Sequence, residues 1–256
     1  MSTRREQLRY LGIAIAASGG TFLLAREHLP QAEQQDSLTV RDGFMAVSDE
    51  IYARHWQQTK QDVAALREKY RQPALGELDT LDCFRRLSLC VDPTDHKLLH
   101  TNQLIHTLQT MEGIELDGIK DPDLLFAAAV HDLGKLLLLA DEAPENVVCA
   151  NRPIGNYKPG IGLDNVVYQW NHDEFVYQRL REFVPDHIAW LIRYHSIDFK
   201  QDYELMDARD RRYTEQYLSV FRKYDNGTKS NRHVPRKDIE DYAPVIFEYL
   251  PKRLVI

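Results

Sequence analysis

Leu124–Ala140 (LLFAAAVHDLGKLLLLA) is apolar over nearly its whole length, yet it contains His131, Asp132 and Lys135. A segment apolar on almost every side belongs at the centre of a core. Burying an imidazole, a carboxylate and an ammonium there costs several kcal/mol unless each finds a partner. Whatever this chain folds into must therefore bring compensating groups to the middle of this segment. Asp121-Pro122 just before it provides a capping side chain and a proline at the first helical turn, so the spacing predicts a central helix over Leu124–Ala140.

The rest of the chain points to the same fold class. From Leu38 onward no long stretch alternates apolar and polar residues with period two, and apolar residues recur at helical spacing instead. Asp164 can cap a helix over Asn165–Phe183, and Pro185-Asp186 opens one over Asp186–His195. Loops rich in Gly, Pro, Asn and Ser fall near Asn151–Gly162 and Asn226–Pro235. With 43% hydrophobic residues the chain can build a core, and no internal repeat or linker divides it. The expected architecture is all-α: a single helical domain over residues 36–256, preceded by a separate segment over 1–35.

That first segment has the layout of an export signal or membrane anchor. Arg4-Arg5 in TRREQLR precede an uncharged run over Tyr10–Ala25, and polar Arg26–Gln35 follow. The body carries no comparable feature, and the net charge of −7 argues against a nucleic-acid partner. Cys83, Cys90 and Cys149 lie in no CxxC pair and point to neither a disulfide framework nor a zinc ribbon.

Ligand-type residues recur on other helical stripes. His106 lies in LIHTLQTMEG, where Leu99, Asn102 and His106 share a face at i, i+3 and i+7. His172 stands in YQWNHDEFVYQ. His195 ends a stripe with Ile188, Leu191 and Ile192, and Asp225 ends one with Leu218 and Phe221. Four imidazoles and two carboxylates suit a borderline divalent metal such as iron, manganese or zinc, whereas calcium and magnesium prefer oxygen alone. Six ligands exceed the need of one catalytic ion with open positions and suit two ions, with Asp132 the natural bridge. The remaining histidines (His28, His55, His96, His100, His187 and His233) sit in polar or terminal contexts that suit surface or supporting roles. Lys135 follows His131 at i+4 and points into the same space.

The order His106, His131-Asp132, His172, His195, Asp225 is similar to that of HD-domain metalloproteins. The longer strings IHTLQTMEGI, AAAVHDLGKLL, GLDNVVYQWNHDEFVYQ, IRYHS and FRKYDNGTK resemble the myo-inositol oxygenase family. The resemblance implies two iron ions, Fe(II)/Fe(III), that use O2 for oxidative C–C cleavage of a small polyol, in the family myo-inositol to glucuronate. It implies His106, His131, Asp132 and Asp225 around one iron, and His172, His195 and bridging Asp132 around the other. It further implies Asp132 and Lys135 as catalytic residues, and Asp92, Asp95, Lys135, Ser196 and Lys229 as substrate contacts. The second iron has fewer protein ligands and is expected to take the substrate.

Three departures bear on substrate and location. VVCANRPIG places Cys149 and Ala150 where the family has Gly-Asp, the loop over Gly155–Gly162 is short, and the signal-like segment has no counterpart in a cytosolic family. The expectation is a monomer that is exported or membrane-anchored through residues 4–25, with a cytoplasmic location as the alternative. The competing reading of the same ligands is an HD-domain phosphohydrolase or phosphodiesterase, in which the metals activate water for attack on phosphorus.

Overall fold

The computed structural model describes residues 45–256, apart from 96, 99, 100, 148 and 149. The signal-like stretch over residues 1–35 lies outside the described residues, as does Leu99. Among the described residues no helix is long and apolar enough to cross a membrane.

The chain is helical, as its periodicity requires. Residues 45–55 form α1, and α2 (Lys60–Lys69) starts on a capping box in which Thr59 and Asp62 satisfy each other's backbone amides. Next come α3 (Thr80–Arg86), α4 (Gln103–Leu116) and α5 (Pro122–Val130), the last capped by Asp121 with proline in its first turn. Helices α6 (His172–Leu180) and α7 (Asp186–Tyr194) pack on each other, and α5 contacts both α4 and α7. A second capping box, Asp207 with Asp210, opens α8 (Ala208–Tyr213). A π-turn over Thr214–Leu218 leads from it into α9 (Ser219–Gly227), and α10 (Ala243–Tyr249) follows. The one sheet among the described residues is a short antiparallel ribbon of β1 (Glu77–Asp79) and β2 (Arg253–Val255), with Leu78 opposite Leu254. Three-residue strands leave no period-two trace in a sequence, and the fold class remains all-α.

Three sequence expectations are corrected. Leu124–Ala140 is not one helix. The α-helix stops at Val130, Asp132 adopts φ −96° and ψ 5°, and Leu133–Ala140 continues as a 3₁₀ stretch. A 3₁₀ run of that length is unusual and needs tertiary support. Contact with α6 supplies it, because Gly134 lies flat against the His172 backbone. The expectation of burial holds, since α5 and Leu133–Leu137 lie in the core.

The helix expected over Asn165–Phe183 exists only as His172–Leu180. Val166 and Val167 are β-branched and run extended, with the Ile154 amide donating to Val167 O at 2.7 Å and Pro153 bridging Tyr168. Asn171 caps the helix instead of Asp164 by accepting from the Asp173 amide. Asp164 binds Arg193 and the Tyr194 hydroxyl. Asn102, expected on an inner stripe, is the N-cap of α4, its side chain accepting from the Ile105 amide at 3.0 Å.

Candidate metal centre

Each ligand-type side chain arrives at the core from a different structural device. His106 lies one turn into α4. His131 is the C-cap of α5 and Asp132 the first residue beyond it. His172 is the first residue of α6, and His195 the C-cap of α7. Asp225 is on the last turn of α9, downstream of the π-turn. All of them are buried, His106 and His172 completely.

They converge as two triads. His106, His131 and Asp225 offer one atom each within 4.8 Å of one another, and so do Asp132, His172 and His195. In the first triad Asp225 Oδ1 is 3.1 Å from His106 Nε2 and 3.7 Å from His131 Nε2. Asp132 stands between the triads. Its Oδ2 is 3.3 Å from His131 Nε2 and 3.5 Å from His106 Nε2, while its Oδ1 is 3.1 Å from His172 Nε2 and 4.0 Å from His195 Nε2.

Three of the four rings are locked by their far nitrogens. His131 Nδ1 donates to Ala128 O at 2.9 Å, His172 Nδ1 to Val147 O at 2.5 Å, and His195 Nδ1 to Ile192 O at 2.9 Å. A ring that spends its proton on a carbonyl presents a lone pair at Nε2 in its neutral form, as metal-binding imidazoles do. His172 Nε2, His195 Nε2 and Asp132 Oδ1 have no hydrogen-bond partner. Acceptors facing acceptors in a buried pocket call for a cation, and nitrogen with carboxylate oxygen suits a borderline divalent metal. Phe221 closes one side with its ring edge-on to His131, centroids 5.2 Å apart.

The charges respond to this crowding. Burial alone would raise the Asp132 carboxyl, but Lys135, His131 and His172 outweigh it and hold the group well below the usual carboxylate range. Asp225 is held low against burial by His106 and Lys229. Burial opposes charge on His172, yet Asp173 and Asp132 push it up to about 9. Burial dominates at His195 and brings it down to about 4.

Lys135 is as buried as the ligands. Its ammonium is 3.0 Å from Asp132 Oδ2, 2.9 Å from Asp92 Oδ2 and 3.0 Å from Gln103 Oε1. Lys229 Nζ is 2.7 Å from Asp95 Oδ2 and 3.8 Å from Asp225 Oδ1. Asp92 and Asp95 thus leave one short segment to meet two different lysines beside the triads. Ser196 is also at the site, but its hydroxyl donates to Asp173 Oδ1 at 3.1 Å. Glu174 turns away to Arg193 and Arg67.

Sequence reasoning passed over Asp173, Gln103, Asn151 and the depth of His55. His55 is fully buried, held by Glu145 O at 2.7 Å and Asn151 Oδ1 at 3.2 Å. Asp173 is completely buried, with Oδ1 2.9 Å from His172 Nε2. In the loop after the 3₁₀ stretch Ala150 takes φ 74°, with its carbonyl accepting from Trp56 Nε1 at 3.1 Å.

A family model described as myo-inositol oxygenase matches residues 45–156 and 141–256. A probable inositol oxygenase of Oryza sativa subsp. japonica is 29% identical over 249 residues, 80% of this chain and 80% of its own. Inositol oxygenase 4 of Arabidopsis thaliana is 30% identical over 254 residues, 80% of this chain and 77% of its own. The inositol oxygenase of Danio rerio is 25% identical over 269 residues, 87% of this chain and 95% of its own.

Proposed function

The chain belongs to the myo-inositol oxygenase family, and from that premise we propose that it is a di-iron oxygenase acting on a small polyol with neighbouring hydroxyls. The observation that carries the proposal is the division of Asp132, one carboxylate oxygen toward each triad. His106, His131, Asp225 and Asp132 Oδ2 would hold one iron, and His172, His195 and Asp132 Oδ1 the other. Bound there, iron would supply the activation of O2 and the redox capacity for oxidative C–C cleavage. In the family reaction one O2 accepts four electrons from inositol, leaving one oxygen atom in the acid and the other in water.

The protein's own groups bind, orient and shield. Lys135 would offer its ammonium to a substrate oxygen, held in aim by Asp92, Asp132 and Gln103. Lys229, held by Asp95, would do the same on the Asp225 side. Substrate entry then requires the segment carrying Asp92 and Asp95 to release these lysines, and its return excludes water. Ala150, in place of a carboxylate, removes one hydroxyl acceptor, so the preferred polyol differs from inositol or inositol binds weakly. Residues 36–256 form the oxygenase domain in this reading. Residues 1–35 direct export or anchoring, which Arg4-Arg5→Lys-Lys tests through loss of the protein from the outer face of the membrane.

The deciding experiment loads the protein anaerobically with Fe(II) and measures O2 uptake and acid formation over a panel of cyclic and linear polyols. Stoichiometric O2 consumption with acid product supports the reading. No O2 uptake with any vicinal diol, together with metal-dependent hydrolysis of phosphoesters, overturns it in favour of a phosphohydrolase.

A further inference from the structure

Tyr194 is joined to His195 by one peptide bond, and its ring opens a row of oxidisable side chains that leads away from the metal centre. Ring centroids are 5.4 Å apart for Tyr194 and Trp190, 5.6 Å for Trp190 and Tyr213, and 5.7 Å for Tyr213 and Tyr217. The inner two rings are buried and the outer two half-buried, so the row runs from the ligands to solvent. Helix α7 supplies the inner pair, Tyr213 ends α8, and Tyr217 lies in the π-turn.

Packing alone would explain aromatic neighbours at these separations. It does not explain their polar tips. Tyr194 donates its hydroxyl to Asp164 Oδ1 at 2.7 Å, Trp190 its Nε1 proton to Asp210 Oδ1 at 2.8 Å, and Tyr213 its hydroxyl to Asp186 Oδ2 at 2.9 Å. Three successive rings each hold a carboxylate of their own, within the reach that proton transfer needs. A phenol or indole that loses an electron becomes a strong acid, and a base already in contact makes that loss easier. Arg193 Nη1, 2.8 Å from Asp164 Oδ1, keeps the innermost of these bases ionised and able to accept.

We propose that Tyr194, Trp190 and Tyr213 form a relay that carries oxidising equivalents away from the metal centre when O2 is activated with no substrate to oxidise. The inference rests on the di-iron reading above. Each event moves one electron inward and balances at every ring. Tyr194 gives an electron to the oxidised metal centre and its proton to Asp164. Trp190 then reduces Tyr194, which takes that proton back, and Trp190 passes its own to Asp210. Tyr213 restores Trp190 in the same way and leaves its proton on Asp186. A one-electron donor of the ascorbate class in solution reduces Tyr213, and Asp186 returns the proton. The net result is a metal centre reduced by one electron, a donor oxidised by one, and no net proton moved. Tyr217 extends the exposed end of the relay.

The test treats the iron-loaded full chain, free of polyol, with hydrogen peroxide. Electron paramagnetic resonance reads the organic radical, and peptide mass spectrometry locates the oxidised rings. Wild type should be oxidised at Tyr213 and Tyr217. Trp190→Phe keeps an aromatic ring that is far harder to oxidise, and should cut oxidation at both tyrosines several-fold. Ascorbate should quench the wild-type radical several-fold faster than the radical left in Trp190→Phe. If that variant fails to fold, Tyr213→Phe, at a half-buried ring, should cut oxidation at Tyr217 several-fold. Undiminished oxidation of these tyrosines in the variants overturns the inference and leaves the di-iron reading intact. So does a wild type modified at neither Tyr213 nor Tyr217, including one oxidised instead at Trp170 and Tyr70, the stacked pair near His172. Binding of fewer than two iron ions per wild-type chain overturns the di-iron reading itself.

Discussion

A Cβ placed on Gly134 would stand 2.2 Å from the backbone carbonyl oxygen of His172. No side chain fits at that distance, and the obstacle is backbone that cannot rotate away. The 3₁₀ stretch and the start of α6 are therefore pressed together at the point from which Asp132 and His172 reach the same metal position. Gly134→Ala should push them apart. Overpacking of this kind costs about 1–3 kcal/mol, and the expected result is a lower melting temperature with the second metal equivalent weakened more than the first. Thermal denaturation alongside metal titration checks both.

Asp132→Ala removes the one carboxylate that faces both triads. Two cations would then confront each other with nothing between them. Both should be lost together, and elemental analysis of the purified variant should show well under one metal per chain. Full occupancy of both positions would refute the bridge.

Lys135→Met keeps the unbranched apolar stem of the side chain and deletes its charge. Asp92 would be left buried with only its hydrogen bonds from Thr94, and Asp132 with only its histidines, at a cost of about 3–5 kcal/mol. Chemical denaturation should show that loss in the metal-free protein. A metal-loaded sample should recover part of it, because the cations compensate Asp132.

Asp202 offers a pH test away from the metal ligands. Burial, assisted by Asp198, lifts its carboxyl from the ordinary 3.8 to about 6 against the pull of Tyr168. The folded state thus holds this proton more tightly than the unfolded chain does. The stabilising contribution is complete below the unfolded value and is lost as pH rises through about 6. Wild type should lose stability from this group between about pH 4 and 6, and Asp202→Asn should flatten that part of the profile. Urea midpoints at pH 4, 5, 6 and 7.5 measure it, and an identical profile in the variant would show that Asp202 is not the source.

Ala150→Asp returns a carboxylate to the loop beside the site. The left-handed φ of 74° suits aspartate better than most residues. A hydrogen bond between a charged acceptor and a sugar hydroxyl contributes about 1.5–3 kcal/mol, so myo-inositol KM should fall by about tenfold or more. An unchanged KM would mean that the loop does not reach the substrate.

Much of this was legible in the amino-acid order, for stated physical reasons. His106, His131, Asp132, His195 and Asp225 stood out because each interrupts an apolar stripe or run, His172 only through its string YQWNHDEFVYQ, and the fold buries all six together. Asp173 did not stand out, since the residues around it (WNHDEF) are polar and a first-turn acid is ordinary. Only the repetition of the His-Asp pair could have flagged it. His55 was passed over because it sits among polar neighbours, whereas its burial is created by Glu145 and Asn151 from far along the chain. The end of the central helix was missed because leucines and alanines favour helix on either side of it. The 3₁₀ stretch beyond that end rests on a tertiary contact of Gly134 with the His172 backbone, which the local sequence does not reveal.

That stop also shapes how the site can vary. Successive side chains on an unbroken α-helix diverge by about 100°, so neighbours cannot normally address one point. Here the helix ends between them, and His131 Nε2 and Asp132 Oδ2 come within 3.3 Å. Ligands spaced by whole turns can drift along a helix and be replaced one at a time from an adjacent turn. A pair made by a helix end has no such neighbours to inherit the task. Insertion or deletion of a single residue in Pro122–Val130 would rotate both ligands out at once, so this stretch tolerates a volume-conserving change of side chain far better than a change of length.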